Sequence, residues 1–350
     1  MSENKASQNT ILSSEELRNR IDLLPRLRLA HLPTPLEYCP RLTQVLGGPD
    51  IFIKRDDLTG LAFGGNKTRQ LEFLFPEIIQ QKADVLVAGA YTQSNWCRQI
   101  TAAARKLDLD VTLVLVHGEK GPVRQGNLLL DHLMGAEIQI VDIPDIQDLP
   151  PYIEKAAEKL REKGRRPYVI NPFDLAVHAR STIGYVNATV ELDQQLEEIG
   201  IHADRIYVSG ANMTPAGLTL GTRLLGRSTR VFGISPVRWQ EPRSVDIVRI
   251  IKATAKLLDT KLNLEPEEIN SSEDYIGLRY GVVTKESRDA LKCVAECEGI
   301  FLDPVYSSKA MAGLMDHIRK GQIGKEENVV FVHTGGTPAL FAYADDLITN

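Results

Sequence analysis

At 350 residues the chain is longer than one hydrophobic core ordinarily serves, so one large domain or two lobes with room for a buried site is expected. Its net charge of −5 offers no basic field to a nucleic acid, and no stretch approaches the roughly 20 apolar residues that span a bilayer. Four cysteines and a polar opening segment without an apolar leader point to free thiols in a cytoplasmic protein rather than to a disulfide framework.

The first segment with chemical content is KRDDLTGLAFGGNKTRQLEFL, residues 54–74. It sets Lys67 just beyond the paired glycines Gly64 and Gly65, at the start of a predicted helix rich in Leu and Phe. The positive end of the helix dipole disfavours a charged amine there and lowers its pKa toward the nucleophilic range. The two glycines are expected to let the backbone come close to a bulky planar ligand. Taken alone, the segment fits more simply a surface lysine that follows a glycine turn.

From residue 85 short apolar runs alternate with helical patterns: VLVAGA, a helix over 94–107, VTLVLV, a helix near 122–134, and IQIV. The charged stretch 154–166 reads as a solvated helix face and turn. A second series follows, with RIYVSGA at 205–211, a helix from about Pro215, VFGIS at 231–235, helices near 242–258 and 285–298, and VVFVHTGG at 329–336. Continuous apolar strands separated by helices predict an α/β fold with parallel sheets covered on both faces.

Three strands run directly into polar or glycine-rich turns, GAYTQSN, SGANMTPAG and HTGGTPAL. In open parallel sheets ligands bind outside the carboxyl ends of the strands, so these turns and GGNK can build one site. Ser94 opens a helix, where it serves either as a plain N-cap or as a group that offers hydroxyl and amides to a carboxylate. Thr214 is placed to cap the next such helix, with Pro215 in its first turn. Cys293 and Cys297 stand i, i+4 on a predicted helix, but no second pair has metal-ligand spacing, so no metal site is assigned.

Read together, GGNKTRQLEFL, TQSNWCRQ, YGVVT, LDPVYSSKAMAGL and FVHTGGTPALFAY occur in an order that resembles the family of D-cysteine desulfhydrase and 1-aminocyclopropane-1-carboxylate (ACC) deaminase, which includes L-cysteate sulfo-lyases. The resemblance runs from LPTPLE at 32–37 to near the C-terminus. It implies the two-lobed fold of the tryptophan synthase β-subunit group, fold type II of the pyridoxal-phosphate (PLP) enzymes. It also implies a large domain over 1–69 and 181–350, a small nested α/β domain over 70–180, and a homodimer acting on a small amino acid.

Carried over by position, the resemblance makes Lys67 the lysine that holds PLP as a Schiff base, with Asn66 beside it on the cofactor. Ser94 and Asn95 match residues that touch substrate and cofactor. The loop Gly210, Ala211, Asn212, Met213 and Thr214 matches the phosphate cup, although relatives carry more glycine and small hydroxyl residues there. Tyr280 and Tyr306 match two active-site tyrosines that orient substrate or relay a proton. Ser307 stands where ACC deaminases place a glutamate that keeps the pyridine nitrogen protonated; serine favours a neutral ring and hence β-elimination. Trp96 replaces the histidine of desulfhydrases and the glutamine of ACC deaminases, and its indole either faces the substrate or turns away. His333, Thr337 and Pro338 shape the turn near the ring, and no histidine is given a catalytic role. The expected activity is α,β-elimination by a PLP-dependent carbon–sulfur lyase or deaminase, releasing pyruvate and ammonia. The alternatives are ACC deaminase and a PLP-binding sensor without catalysis.

Overall fold

The computed structural model describes residues 9–348, and the polar opening segment 1–8 lies outside them. The strands are β1 (Leu36–Tyr38), β2 (Asp50–Lys54), β3 (Val85–Tyr91), β4 (Asp110–Val116), β5 (Glu137–Val141), β6 (Pro167–Ile170), β7 (Arg205–Ser209), β8 (Arg230–Ile234), β9 (Asn270–Ser272) and β10 (Asn328–Val332). They form a six-stranded sheet in the order β1-β2-β10-β7-β8-β9 and a four-stranded sheet in the order β5-β4-β3-β6. Only β1, against β2, pairs antiparallel. The parallel α/β class read from the apolar runs is therefore the class observed.

Alternation along each strand divides the core by face. In the smaller sheet Leu86, Ala88, Leu113 and Leu115 pack on the helices Asn66–Gln80 and Asn95–Arg105, whereas Val85, Val87, Val114 and Val116 meet Ile153, Ala157 and Leu160 of the helix Pro150–Glu162. In the larger sheet Ile51, Ile53, Val329 and Phe331 lie on the helices Lys285–Glu298 and Ser307–Arg319. Phe52, Val208, Val330 and Val332 lie on the helix Leu175–Glu198.

The expected domain boundaries at 69/70 and 180/181 fall inside the helices Asn66–Gln80 and Leu175–Glu198. The first of these serves both cores: Leu71, Leu74, Phe75 and Ile78 face the four-stranded sheet, while Phe73 joins the cluster of Ile183, Val186 and Leu220. Pro76 inside it cannot donate to the carbonyl of Glu72. The amide of Leu27 donates to that carbonyl instead, at 2.8 Å. The Glu72 carboxylate in turn accepts from the amides of Leu29 and Ala30 and pairs with Arg26, so the entry segment 26–30 is clamped onto the helix.

Two residues along from Lys67, on the other side of the helix, lies its most heavily bonded side chain. The buried Arg69 guanidinium donates to both oxygens of Asp56 (2.9 and 2.8 Å), both oxygens of Glu191 (3.0 and 2.8 Å) and the hydroxyl of Thr34 (2.9 Å). Lys54 donates to the same Glu191 at 2.5 Å and to the Thr34 carbonyl at 2.7 Å, and the Tyr185 hydroxyl donates to Asp56 at 2.5 Å. Burial alone would raise the carboxyls of Asp56 and Glu191, but the charges and bonds of Arg69 and Lys54 outweigh it and hold both below their ordinary range. Such depressed carboxylates contribute stability above their unfolded pKa and lose it as pH falls through the folded value.

Arg69→Met should therefore cost about 3–5 kcal/mol in urea unfolding at neutral pH, the range for removing one partner of a buried ion pair. The penalty should shrink on acidification, because protonated carboxyls no longer need the cation. A penalty below about 1 kcal/mol, the level of an exposed pair, would show that the cluster does not hold the helix Asn66–Gln80 to its neighbours.

Candidate active site

The carboxyl ends of β3, β7 and β8 and the turn after β10 converge on a cavity of about 180 Å3 between the sheets. Asn66, Lys67, Ser94, Asn95, Trp96, Gly210, Ala211, Asn212, Tyr280 and Tyr306, all singled out in the sequence, line it. Met213, Thr214 and Ser307, singled out with them, do not.

Gly65 precedes the Lys67 helix with φ 125°, and a Cβ there would lie 2.6 Å from Gln99 Nε2 and 3.1 Å from the Thr334 carbonyl. The Asn66 amide donates to that same carbonyl at 3.0 Å, and the Gly65 amide to the carbonyl of Asp56 at 3.1 Å. The paired glycines thus press the turn against HTGG and the loop after β2. Lys67, half-buried at the cavity wall, loses solvation, and this pulls its pKa down to about 8. Its Nζ lies 5.7 Å from the centroid of the Trp96 ring, so the indole faces the site.

Two helix N-termini open on the cavity, and each presents unpartnered amides. At the first, Ser94 is the N-cap of Asn95–Arg105, its hydroxyl accepting from the Cys97 amide at 3.2 Å, while it also lines the cavity. It is thus an N-cap and a cavity-lining group at once. The amides of Asn95 and Trp96 donate to no described residue. Asn95 Oδ1 accepts from Asn127 at 3.0 Å and from Arg98 at 3.3 Å, which leaves its amide nitrogen free toward the cavity.

At the second, the helix Met213–Leu224 is capped by Asn212, whose Oδ1 accepts from the Met213 amide at 2.7 Å; Thr214 is not the cap. The Gly210 amide is spent on the carbonyl of Ile234 at 3.0 Å. The amides without a partner among the described residues are those of Ala211, Asn212 and Thr214, a narrower cup than the five residues expected. Ser209, at the end of β7, adds a buried hydroxyl with no partner. Three free amides, a helix N-terminus and a spare hydroxyl suit a phosphate dianion. Thr214 itself is buried and ties the two sides together, its hydroxyl accepting from Asn66 Nδ2 and Gln70 Nε2, each at 3.0 Å.

Tyr280 and Tyr306 meet hydroxyl to hydroxyl at 2.5 Å, and the Tyr91 ring stacks on Tyr280 at 4.2 Å. Burial drives both phenols upward, so each remains a proton donor at neutral pH. The Asp303 carboxylate accepts from the amides of Val305, Tyr306 and Ser307 and fixes this turn. Ser307, fully buried, donates its hydroxyl to Asp303 at 2.6 Å and accepts from the Asp303 amide at 2.7 Å. Its proton is committed behind the wall, whereas Thr334, which the sequence reading passed over, is among the residues that line the cavity. No Asp or Glu lines the cavity among the described residues. His333 is likewise internal, held by the Phe301 carbonyl at 3.0 Å and the Gly335 amide at 3.2 Å. Tyr91, Ile146, Val237 and Trp239 complete the wall from strand and loop ends. Cys293 and Cys297 are free thiols on their helix, far in the fold from these turns.

Because desolvation favours the neutral amine, Lys67 in the apoprotein should be acetylated by acetic anhydride with a half-maximal rate near pH 8, well below the exposed lysines near pH 10.5. Mass spectrometry of peptides follows each site, and a Lys67 midpoint indistinguishable from the exposed lysines would show that the amine is solvated.

A family model described as pyridoxal-phosphate dependent enzyme matches residues 27–335. A Pyrococcus furiosus protein provisionally named 1-aminocyclopropane-1-carboxylate deaminase is 38% identical over 95% of this chain and 98% of its own. D-cysteine desulfhydrase of Klebsiella pneumoniae is 38% identical over 91% of this chain and 96% of its own. The crystal structure of an ACC deaminase homologue superposes with a TM-score of 0.86, at 38% identity, covering 95% of this chain and 98% of that one. The site carries what the cofactor demands, a desolvated lysine and an amide cup for its phosphate, and the chain belongs to the pyridoxal-phosphate dependent enzymes, in the group that holds the ACC deaminase-like proteins and the D-cysteine desulfhydrases.

Proposed function

We propose that the protein is a lyase catalysing α,β-elimination from a small β-substituted amino acid, cysteine or a close analogue, to give pyruvate and ammonia. The observation that carries this reading is the make-up of the cavity: one amine poised near pH 8, phenols held protonated, and no carboxylate on the wall. Bound at Lys67 with its phosphate on the amides of Ala211, Asn212 and Thr214, PLP supplies the electron sink that makes Cα–H acidic. With no carboxylate to keep the pyridine nitrogen protonated, that sink is moderate. Moderate activation suits a reaction in which the leaving group departs as the proton is lost.

In this reading Ser94, the Asn95 side chain and the amides of Asn95 and Trp96 hold the substrate carboxylate. The Lys67 amine takes the α-proton, and the Tyr280–Tyr306 pair holds a proton for the departing group. The indole of Trp96 and the ring of Tyr91 exclude water from the amine. We further read the enzyme as cytoplasmic and homodimeric. Four free cysteines support the first, and the exposed Leu129, Leu133 and Phe341, on helices that pack together, support the second.

A second reading, opening of the ACC ring, draws support from the names of the P. furiosus relative and the solved homologue. The missing carboxylate weighs against it, because an unactivated ring has no leaving group to assist.

Borohydride reduction of the holoenzyme followed by peptide mapping should place the pyridoxyl group on Lys67, and Lys67→Ala should lose it. Pyruvate release should favour 3-chloroalanine or cysteine, of one hand or the other, over ACC. An active enzyme that prefers ACC by tenfold, about 1.4 kcal/mol of transition-state discrimination, would establish the second reading instead.

A further inference from the structure

We infer that this site acts on amino acids whose β-substituent is an uncharged thioether, leaving as a thiol, and that it turns away substrates with a second anion, such as cysteate. The inference rests on the elimination reading and narrows its substrate class. It follows first from a count of anion sites. The inner cavity has two helix N-termini with free amides, one for the cofactor phosphate and one for the α-carboxylate. Lys67 is its sole cationic side chain among the described residues, and that amine is engaged in the chemistry. A sulfonate, phosphate or second carboxylate on Cβ would enter a desolvated space with no third site to receive it, and an unpaired buried charge is strongly disfavoured.

The space beyond Cβ is apolar and leads outward. Tyr91, Ile146, Val237, Trp239 and Tyr280 line both the inner cavity and an adjoining chamber of about 400 Å3, forming a neck of ring faces and branched aliphatics. A thiol alone leaves this neck empty, whereas an S-alkyl or S-benzyl group fills it with contacts of matching polarity. The cations of the chamber are already matched: Arg279 pairs with Glu119 across its wall, and Arg238 faces Glu273 at 4.0 Å. Asp142 and Asp145 line the chamber as well, so its carboxylates outnumber its arginines and it does not draw a sulfonate outward.

The reaction balances with water alone. Lys67 removes the α-proton, the Cα–H pair forms the Cα=Cβ bond, and the Cβ–S bond breaks with its electrons on sulfur. The thiolate takes a proton and leaves as thiol. Water then hydrolyses the enamine, so that R–S–CH2–CH(NH3+)–COO− and H2O yield R–SH, pyruvate and NH4+.

The holoenzyme is assayed with both enantiomers of 3-chloroalanine, S-benzylcysteine and cysteate, following pyruvate. S-benzylcysteine of one hand should reach a kcat/KM within tenfold of 3-chloroalanine, with cysteate at least a hundredfold lower. If 3-chloroalanine is turned over but S-benzylcysteine falls further behind, or cysteate lies closer, the inference fails while elimination stands. If neither hand of 3-chloroalanine reacts, the elimination reading itself fails. Ile146→Trp narrows the neck and should lower the ratio of kcat/KM for S-benzylcysteine to that for 3-chloroalanine at least tenfold. An unchanged ratio would place the substituent elsewhere and overturn the inference.

Discussion

The guanidinium of Arg69 is the member on which the site's geometry depends. It joins the loop after β2 through Asp56, the long helix through Glu191, and the entry segment through Thr34, all from the second turn of the Lys67 helix. Burying such charges costs desolvation energy, and that cost is offset only because every partner is bonded in return. Asp56 shows the coupling most directly: its carboxylate receives Arg69 while its carbonyl receives the amide of Gly65. The ion cluster and the turn that aims the lysine are parts of one bonded unit.

Around that unit the molecule separates two kinds of work. Charge is handled by backbone, at two helix N-termini whose partial positive charge comes with no counter-ion and no titration. Burial has moved the titrating side chains of the cavity from their ordinary range, downward for Lys67 and upward for Tyr280 and Tyr306. The wall between is aromatic and aliphatic, so neither system is short-circuited by a stray carboxylate.

Much of this was legible in the sequence. VLVAGA, VTLVLV, RIYVS and VVFV are continuous apolar runs because both faces of a parallel strand are covered, and each was read at its place. The helix Leu175–Glu198 was not read, since it is packed on nearly every side and shows no clean apolar stripe. Lys67, Ser94, Tyr280 and Tyr306 were found because they follow strand ends or ordered motifs. Ile146 and Trp239 come from loops without period, and nothing local marks them as walls. The turning of Ser307 away from the cavity wall has a different cause: a residue i−4, Asp303, captures its hydroxyl, and that depends on how the chain turns between them. The true cap at Asn212 was hidden in the same way, by a side chain bonding its own successor.

The hydroxyl of Thr214 has a consequence for the life of the protein outside the test tube. It accepts from Asn66 and Gln70 of the Lys67 helix, while its own amide, at the start of the helix Met213–Leu224, has no partner among the described residues. A cofactor held at Lys67 and at this helix start would close a loop through Thr214, acting as a removable cross-link between the two helices. Ligands that bind only the folded state add stability by mass action, so the loaded and empty forms unfold at different rates. In a cell that meters its vitamin supply, the abundance of this enzyme would then follow the availability of its coenzyme, with proteolysis of the empty form as the regulator and no dedicated control site required.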